Sequence, residues 1–194
     1  MRIVGGKHRG RRIAAPPGSA VRPTSERARE ALFNILAHGR FGAAPVCEDA
    51  RVLDVFAGTG AFGLEALSRG ARFATFIEKD RQARDVLDAN IKALGESTRA
   101  RLIAADATMP PRADGPYDLL FVDPPYRSGL AAPALEALSR AGWIAADALV
   151  IVELAARSDF EPTEGFVPLE ERRYGAGRLV FLRAVGTTAT AASE

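Results

Sequence analysis

The chain has 194 residues, of which 47% are hydrophobic and 26% charged, the balance of one globular domain able to bury its own core. A single cysteine, Cys47, excludes an internal disulfide, no Cys/His cluster suggests zinc, and the longest apolar run, Ala148 to Val152, is far too short to cross a bilayer. The net charge of +2 hides an asymmetry: residues 1–40 hold nine Lys or Arg against Glu26 and Glu30, while the rest hold 17 basic and 22 acidic residues.

A basic arm on a mildly acidic body predicts a polyanionic partner held at one end. Residues 1–15 read as a strand, a turn and a strand: Arg2-Ile3-Val4, then Gly5-Gly6, then Arg11-Arg12-Ile13-Ala14. Arg2, Lys7, Arg9, Arg11 and Arg12 make this hairpin a candidate phosphate reader, joined by Arg22 further along. With no acid near them in the sequence, these cations repel one another unless an anion sits there. His8 reads as surface. Pro16-Pro17-Gly18 breaks the chain, and Thr24 or Ser25 caps a helix in which Ala28, Leu32, Ile35 and Leu36 form one apolar stripe. Arg27 and Arg29 fall elsewhere on that helix, Gly39 is its stop, and residues 40–50 are a linker.

From residue 51 strands and helices alternate. The strands predicted are 51–56, 73–77, 101–104, 118–122 and 148–153, and the helices 61–69, 80–94 and 131–141. This order predicts a parallel sheet covered on both faces. Two last strands, near 166–172 and 178–183, have no helix between them and turn at Gly175 and Gly177, so they form an antiparallel hairpin at the sheet's edge. The tail from Val185 to Glu194 is small and polar and reads as disordered.

Gly58, Gly60 and Gly63 satisfy G-x-G-x-x-G between the first body strand and the helix after it. A dinucleotide is the generic expectation, but the acids argue against it. Asp54, Glu78, Asp106 and Asp123 stand at or just beyond the ends of four consecutive strands, the edge where open α/β sheets bind ligands. A pyrophosphate is repelled beside Asp54, whereas an amino group is welcomed. Glu78 is spaced to grip ribose hydroxyls, and Asp106 with the backbone of Ala107 to meet an adenine amine. An amino acid, a sulfonium, a ribose and an adenine together describe S-adenosylmethionine. Asp118 and Asn90 read as structural.

Asp123-Pro124-Pro125-Tyr126 follows the apolar run Leu119 to Val122. Two prolines carry no N–H and forbid helix before them, so the chain leaves the strand extended with bare carbonyls. A heterocycle stacked on Tyr126 could donate from its exocyclic amine to Asp123 and to the Pro124 carbonyl, which turns the nitrogen lone pair toward an electrophilic methyl group.

These motifs resemble class I methyltransferases acting on exocyclic base amines, and more narrowly the RsmD family of bacterial small-subunit ribosomal RNA guanine-N2 methyltransferases. The matching pieces are Arg2-Ile-Val-Gly-Gly through Arg9-Gly-Arg-Arg, Arg22-Pro-Thr, Arg29-Glu-Ala-Leu-Phe-Asn-Ile-Leu, Leu53 to Gly60, Gly63 to Ala71 and Phe121 to Tyr126. Thr59 stands where serine is common in that family. The resemblance implies S-adenosylmethionine bound by Asp54, Gly58, Gly60, Glu78, Asp106 and Asp123, and a flipped guanine held by Asp123, Pro124 and Tyr126. It also implies a substrate of ribosomal RNA already carrying some proteins. The fold expected is a Rossmann-like, mostly parallel seven-stranded sheet with helices on both faces, a C-terminal antiparallel hairpin and an N-terminal hairpin and helix. In domain terms, residues 1–40 are the recognition extension, 41–184 the methyltransferase domain and 185–194 the tail. The chain is expected to be monomeric and cytoplasmic, with no metal. The rival readings are an adenine-N6 methyltransferase of DNA or RNA, a catalytically idle ribosome assembly factor, and a small-molecule methyltransferase, which would leave the basic arm without a purpose.

Overall fold

In the computed structural model, which describes residues 1–15, 26–38, 41, 46–125 and 128–185, the apolar runs of the body pair side by side. They form β1 (Arg51–Val55), β2 (Phe73–Ile77), β3 (Ala100–Ile103), β4 (Tyr117–Val122) and β5 (Ile144–Ala155), followed by β6 (Phe166–Tyr174) and β7 (Gly177–Ala184). The seven strands make one sheet in the order β3-β2-β1-β4-β5-β7-β6. Pairing is parallel from β3 to β5 and antiparallel for β5 with β7 and β7 with β6. The helices are α1 (Glu26–Ala37), α2 (Ala61–Ser68), α3 (Arg81–Leu94) and α4 (Ala131–Arg140).

The period-2 alternation of side chains divides the core in two. Val52, Leu119, Phe121, Leu149 and Ile151 face α1, α2 and α3. Leu53, Val55, Leu120, Val122, Val150 and Val152 face α4 and Trp143. Because both faces are covered, β4 carries the unbroken apolar run Leu119 to Val122, as parallel strands do. Phe121 anchors the first layer, with Phe62 of α2 stacked at 4.9 Å and Phe33 of α1 tilted at 5.6 Å. α3 starts where the Asp80 carboxylate accepts from Ala83 N and ends at Gly95. α2 is buried from Phe62 to Ser68, with the sheet on one side and the N-terminal arm on the other.

The predicted elements stand within about two residues of those observed, with one exception: β5 begins at Ile144, four residues early. Its first residues, Ile-Ala-Ala-Asp, offer no alternation. Its pairing with β4 is irregular between Tyr117 and Leu119, and Asp147 takes a left-handed φ of 61°. The arm also differs in detail. Arg2 and Arg12 form a single antiparallel bridge around a 3-10 turn at Gly6–His8, not a long ladder. The arm bonds part of its own backbone, Ile3 N donating to Arg11 O and Gly10 N to Ile3 O, and the body takes other groups. Val4 N donates to Glu65, His8 N to Ser68 Oγ, and Ser68 Oγ donates to Gly5 O. Ile3 and Ile13 are buried in the core that α1, α2 and α3 share.

Three local expectations are corrected. Arg29 does not stand outside the apolar stripe. It is fully buried with its Nε 3.5 Å from Glu65, because the arm covers that side of α1 and Arg2 O accepts from its guanidinium. The arm's cations do have an acid nearby: Glu96, 88 residues from His8, is buried and takes Lys7 Nζ at 2.7 Å and His8 Nε2 at 2.5 Å. His8 is accordingly no surface residue, with 13% of its side chain exposed.

The Pro16-Pro17-Gly18 break, Arg22, the Thr24 or Ser25 cap, the Gly39 stop, residues 40 and 42–45 of the linker, Tyr126 and the tail beyond Val185 lie outside the described residues. Among the described residues no helix is long and apolar enough to cross a membrane.

Candidate active site

The strand order reverses between β1 and β4: β2 and β3 lie to one side of β1, β4 and β5 to the other. Such a switch point opens a crevice beyond the carboxyl ends of the two central strands. Asp54, Glu78 and Asp123 lie around it, and Asp106 stands further along the same rim.

The crevice floor is the glycine turn. After β1, Phe56 takes a left-handed φ of 60°, an uncommon conformation for a large side chain. Gly60, at φ 77°, starts α2; a Cβ there would lie 2.2 Å from Leu87 Cδ1. Gly58 has the opposite surroundings. Its φ is 54°, and the nearest atom to a Cβ is Phe56 O at 4.0 Å, so the backbone there is open to a ligand. Asn90 of α3 ties the turn to the arm: its Nδ2 donates to Thr59 O and to Ala14 O, and its Oδ1 accepts from Ala14 N.

The predicted carboxylates occupy different depths. Asp54 lies within β1, one residue before its end, and is 1% exposed. Its Oδ2 accepts from Gly63 N at 2.9 Å, so it braces the turn from beneath. Burial pushes its carboxyl up to about 8, the Gly63 N–H opposes this, and Glu78 adds to it. Glu78 bends over the turn, accepting from Gly58 N at 2.8 Å and Asp80 N at 2.7 Å. Asp106 stands three residues beyond β3, at the outer end of the row. It accepts from Thr108 N and Oγ1 and pairs with Lys79 at 3.2 Å. The Thr108 bonds first, and then Lys79, hold its carboxyl below the usual range. Ala107 beside it is buried in the second core.

Asp123 continues β4 past its last paired residue, with its N–H donating to Val55 O at 3.2 Å. Its carboxyl is raised well above the usual range, by burial first and then by Glu153 and Asp54. Pro124 is buried and Pro125 exposed. The Pro125 carbonyl accepts from Ser128 N, while among the described residues no backbone donor reaches the Pro124 carbonyl. Beyond the prolines opens a cleft of about 550 Å³, bordered by Leu130, Glu153, Phe160 and both prolines.

The structure therefore brings Asp54, Glu78 and Asp123 together electrostatically and leaves Asp106 one strand out, with its own lysine. It adds Glu153, which the motif reading missed. The signal was present: Glu153 interrupts the apolar run Leu149 to Leu154 near the end of a fifth strand. On the arm, Arg9 and Arg12 are exposed. Arg2 pairs with Glu26 at 3.4 Å, Lys7 with Glu96, and Arg11 donates to Ala93 O. Hydrogen bonds from Lys7, His8 and Arg99 overcome the burial of Glu96 and hold its carboxyl low. Among the described residues no group of His, Cys, Asp and Glu is placed to hold a metal ion.

A family model described as conserved hypothetical protein 95 matches residues 1–183. The ribosomal RNA small subunit methyltransferase D of Escherichia coli strain K12 is 44% identical over 154 residues, which cover 79% of this chain and 74% of that protein. The chain belongs to the RsmD family. The Haemophilus influenzae protein of the same name is 33% identical over 179 residues, covering 90% of this chain and 89% of its own. Similarity extends to the fold: the solved structure of the E. coli protein yhhF has a TM-score of 0.82 at 37% identity, covering 95% of this chain and 98% of that one. The match to the RsmD family spans arm, glycine turn and Asp123 to Pro125 alike.

Proposed function

We propose that this chain transfers a methyl group from S-adenosylmethionine to the exocyclic N2 amine of one guanine in small-subunit ribosomal RNA. What supports the reading is the placement of Asp123 and Pro124 beside an acid-rimmed glycine turn, in a chain related to named ribosomal RNA methyltransferases. The turn fits that cofactor. Gly58 leaves backbone uncovered, and the acceptor oxygens of Asp54, Glu78 and Asp123 around the turn suit an amino group better than a pyrophosphate, which needs donors. Glu78 keeps acceptor capacity for ribose hydroxyls, because each carboxylate oxygen accepts more than the single bond it has here. When bound, S-adenosylmethionine supplies an electrophilic methyl group.

The chain's own residues then act by position. Asp123 and the Pro124 carbonyl accept the two amine hydrogens of a base taken out of its stack, and Tyr126 offers a ring to receive it. The two acceptors draw the hydrogens from the ring plane, so that the nitrogen lone pair is localised. A base seated in the crevice displaces water, which strengthens each of these interactions. Arg9 and Arg12, exposed on an arm fixed to α2 and α3, are free to meet RNA phosphates.

Mass spectrometry of small-subunit ribosomal RNA from cells lacking this protein tests the reading. One N2-methylguanine should disappear, and it should return with the wild-type chain but not with Asp123→Ala. An intact complement of methylated guanine, or a missing methyladenine, overturns it.

A further inference from the structure

Three neighbouring strands carry acids at or near their carboxyl ends on one face. In β1, Val52 and Asp54 point to the layer of α1 and α2; in β4, Leu119 and Phe121 do so, and Asp123 is next in that series; in β5, Leu149 and Ile151 do so, and Glu153 is next. The register is direct. Val122 pairs with Val152, so Asp123 and Glu153 are the following step of the same parallel pair. Adjacent strands lie about 4.8 Å apart, close enough for two side chains on one face to reach neighbouring atoms of one ligand. Glu153 borders the cleft together with Pro124, Pro125 and Phe160.

Guanine presents two adjacent donors on its Watson–Crick edge, the N2 amine and N1–H. Adenine presents an acceptor at N1. Acceptor oxygens of Asp123 and Glu153 side by side complement the first pattern and clash with the second. We infer that Glu153 accepts the guanine N1–H while Asp123 holds the N2 amine, which makes Glu153 the residue that selects guanine over adenine. This rests on the guanine-N2 reading above and adds its specificity. A base that cannot supply the N1 donor leaves the Glu153 carboxylate facing a lone pair, the kind of mismatch that a site built around a hydrogen bond rejects strongly.

The test uses the full chain and small ribosomal particles reconstituted with RNA carrying either guanine or 2-aminopurine at the modified nucleotide. 2-Aminopurine keeps the N2 amine but has no N1–H. The wild-type chain should favour guanine by roughly 100-fold or more in kcat/KM. Glu153→Gln, whose amide can donate to the unprotonated N1, and Glu153→Ala should each shrink that ratio at least tenfold, with cofactor affinity unchanged. Equal use of both bases by the wild-type chain overturns the assignment without any variant. Normal wild-type preference with an unaltered ratio in both variants overturns it too. Failure of the wild-type chain to methylate guanine overturns the functional reading itself, and the Glu153 assignment with it.

Discussion

Asp54→Asn should invert its effect on stability with pH. Asp54 is 1% exposed, and burial raises its carboxyl from 3.8 to about 8. Between those values the folded chain holds a proton that the unfolded chain has released, so stability is complete below the lower value and lost as pH rises through the upper one. At pH 9 the shift destabilises the wild-type chain by on the order of 6 kcal/mol relative to an unperturbed carboxyl, at 1.36 kcal/mol per unit. Asparagine does not titrate. Its carbonyl can still accept from Gly63 N, but its buried N–H groups lack partners, at about 1–3 kcal/mol. The variant is therefore the less stable chain near pH 4, crosses the wild type between about pH 4.5 and 6, and is more stable at pH 9 by about 3–5 kcal/mol. For a domain of this size that is roughly 6–20 °C in Tm. Thermal unfolding of the ligand-free proteins by circular dichroism at pH 4, 7 and 9 measures it. Calorimetry adds a functional readout: wild-type affinity for S-adenosylmethionine should rise through pH 8 with proton release, and the variant should lose that dependence. A Tm difference that stays constant across the pH range refutes the reasoning.

Glu65 is fully buried between Arg29 and Arg69 and also accepts from Val4 N. Glu65→Gln leaves a buried guanidinium uncompensated and should cost about 3–5 kcal/mol in urea unfolding, much of it recovered in the double variant with Arg29→Met. Gly6→Ala places a Cβ 1.9 Å from Ser68 O, which displaces the arm; RNA affinity should fall while S-adenosylmethionine affinity, followed by calorimetry, holds. Neutralising Arg9, Arg11 and Arg12 together to Gln should reduce the slope of log affinity against log salt by about 0.7–0.9 for each phosphate no longer neutralised, as read by filter binding. An unchanged slope removes the arm from RNA recognition.

The order of strands and helices was legible in the chain because hydrophobic periodicity is local. β2 and β4 are apolar runs bounded by turn chemistry, and α3 carries its own cap at Asp80 and stop at Gly95. The acids at Asp54, Glu78 and Asp123 were legible for a related reason. A parallel sheet puts the end of every strand at one rim, so residues that follow successive apolar runs must become neighbours.

What the tertiary structure alone decided is how each charge is met. Arg29 read as an outward residue of α1 and proved to be a buried partner of Glu65, 36 positions later. The arm read as unopposed positive charge, yet Glu96 receives both Lys7 and His8 from the far end of α3. Asp54 read as a ligand's counter-charge and lies under the glycine turn, held by Gly63. Glu153 joins Asp123 only because β5 is laid beside β4 in register. Periodicity reports which side of an element faces the core. Whether an ionised group there meets a partner depends on how separate elements pack, and burial makes that pairing decisive for its charge.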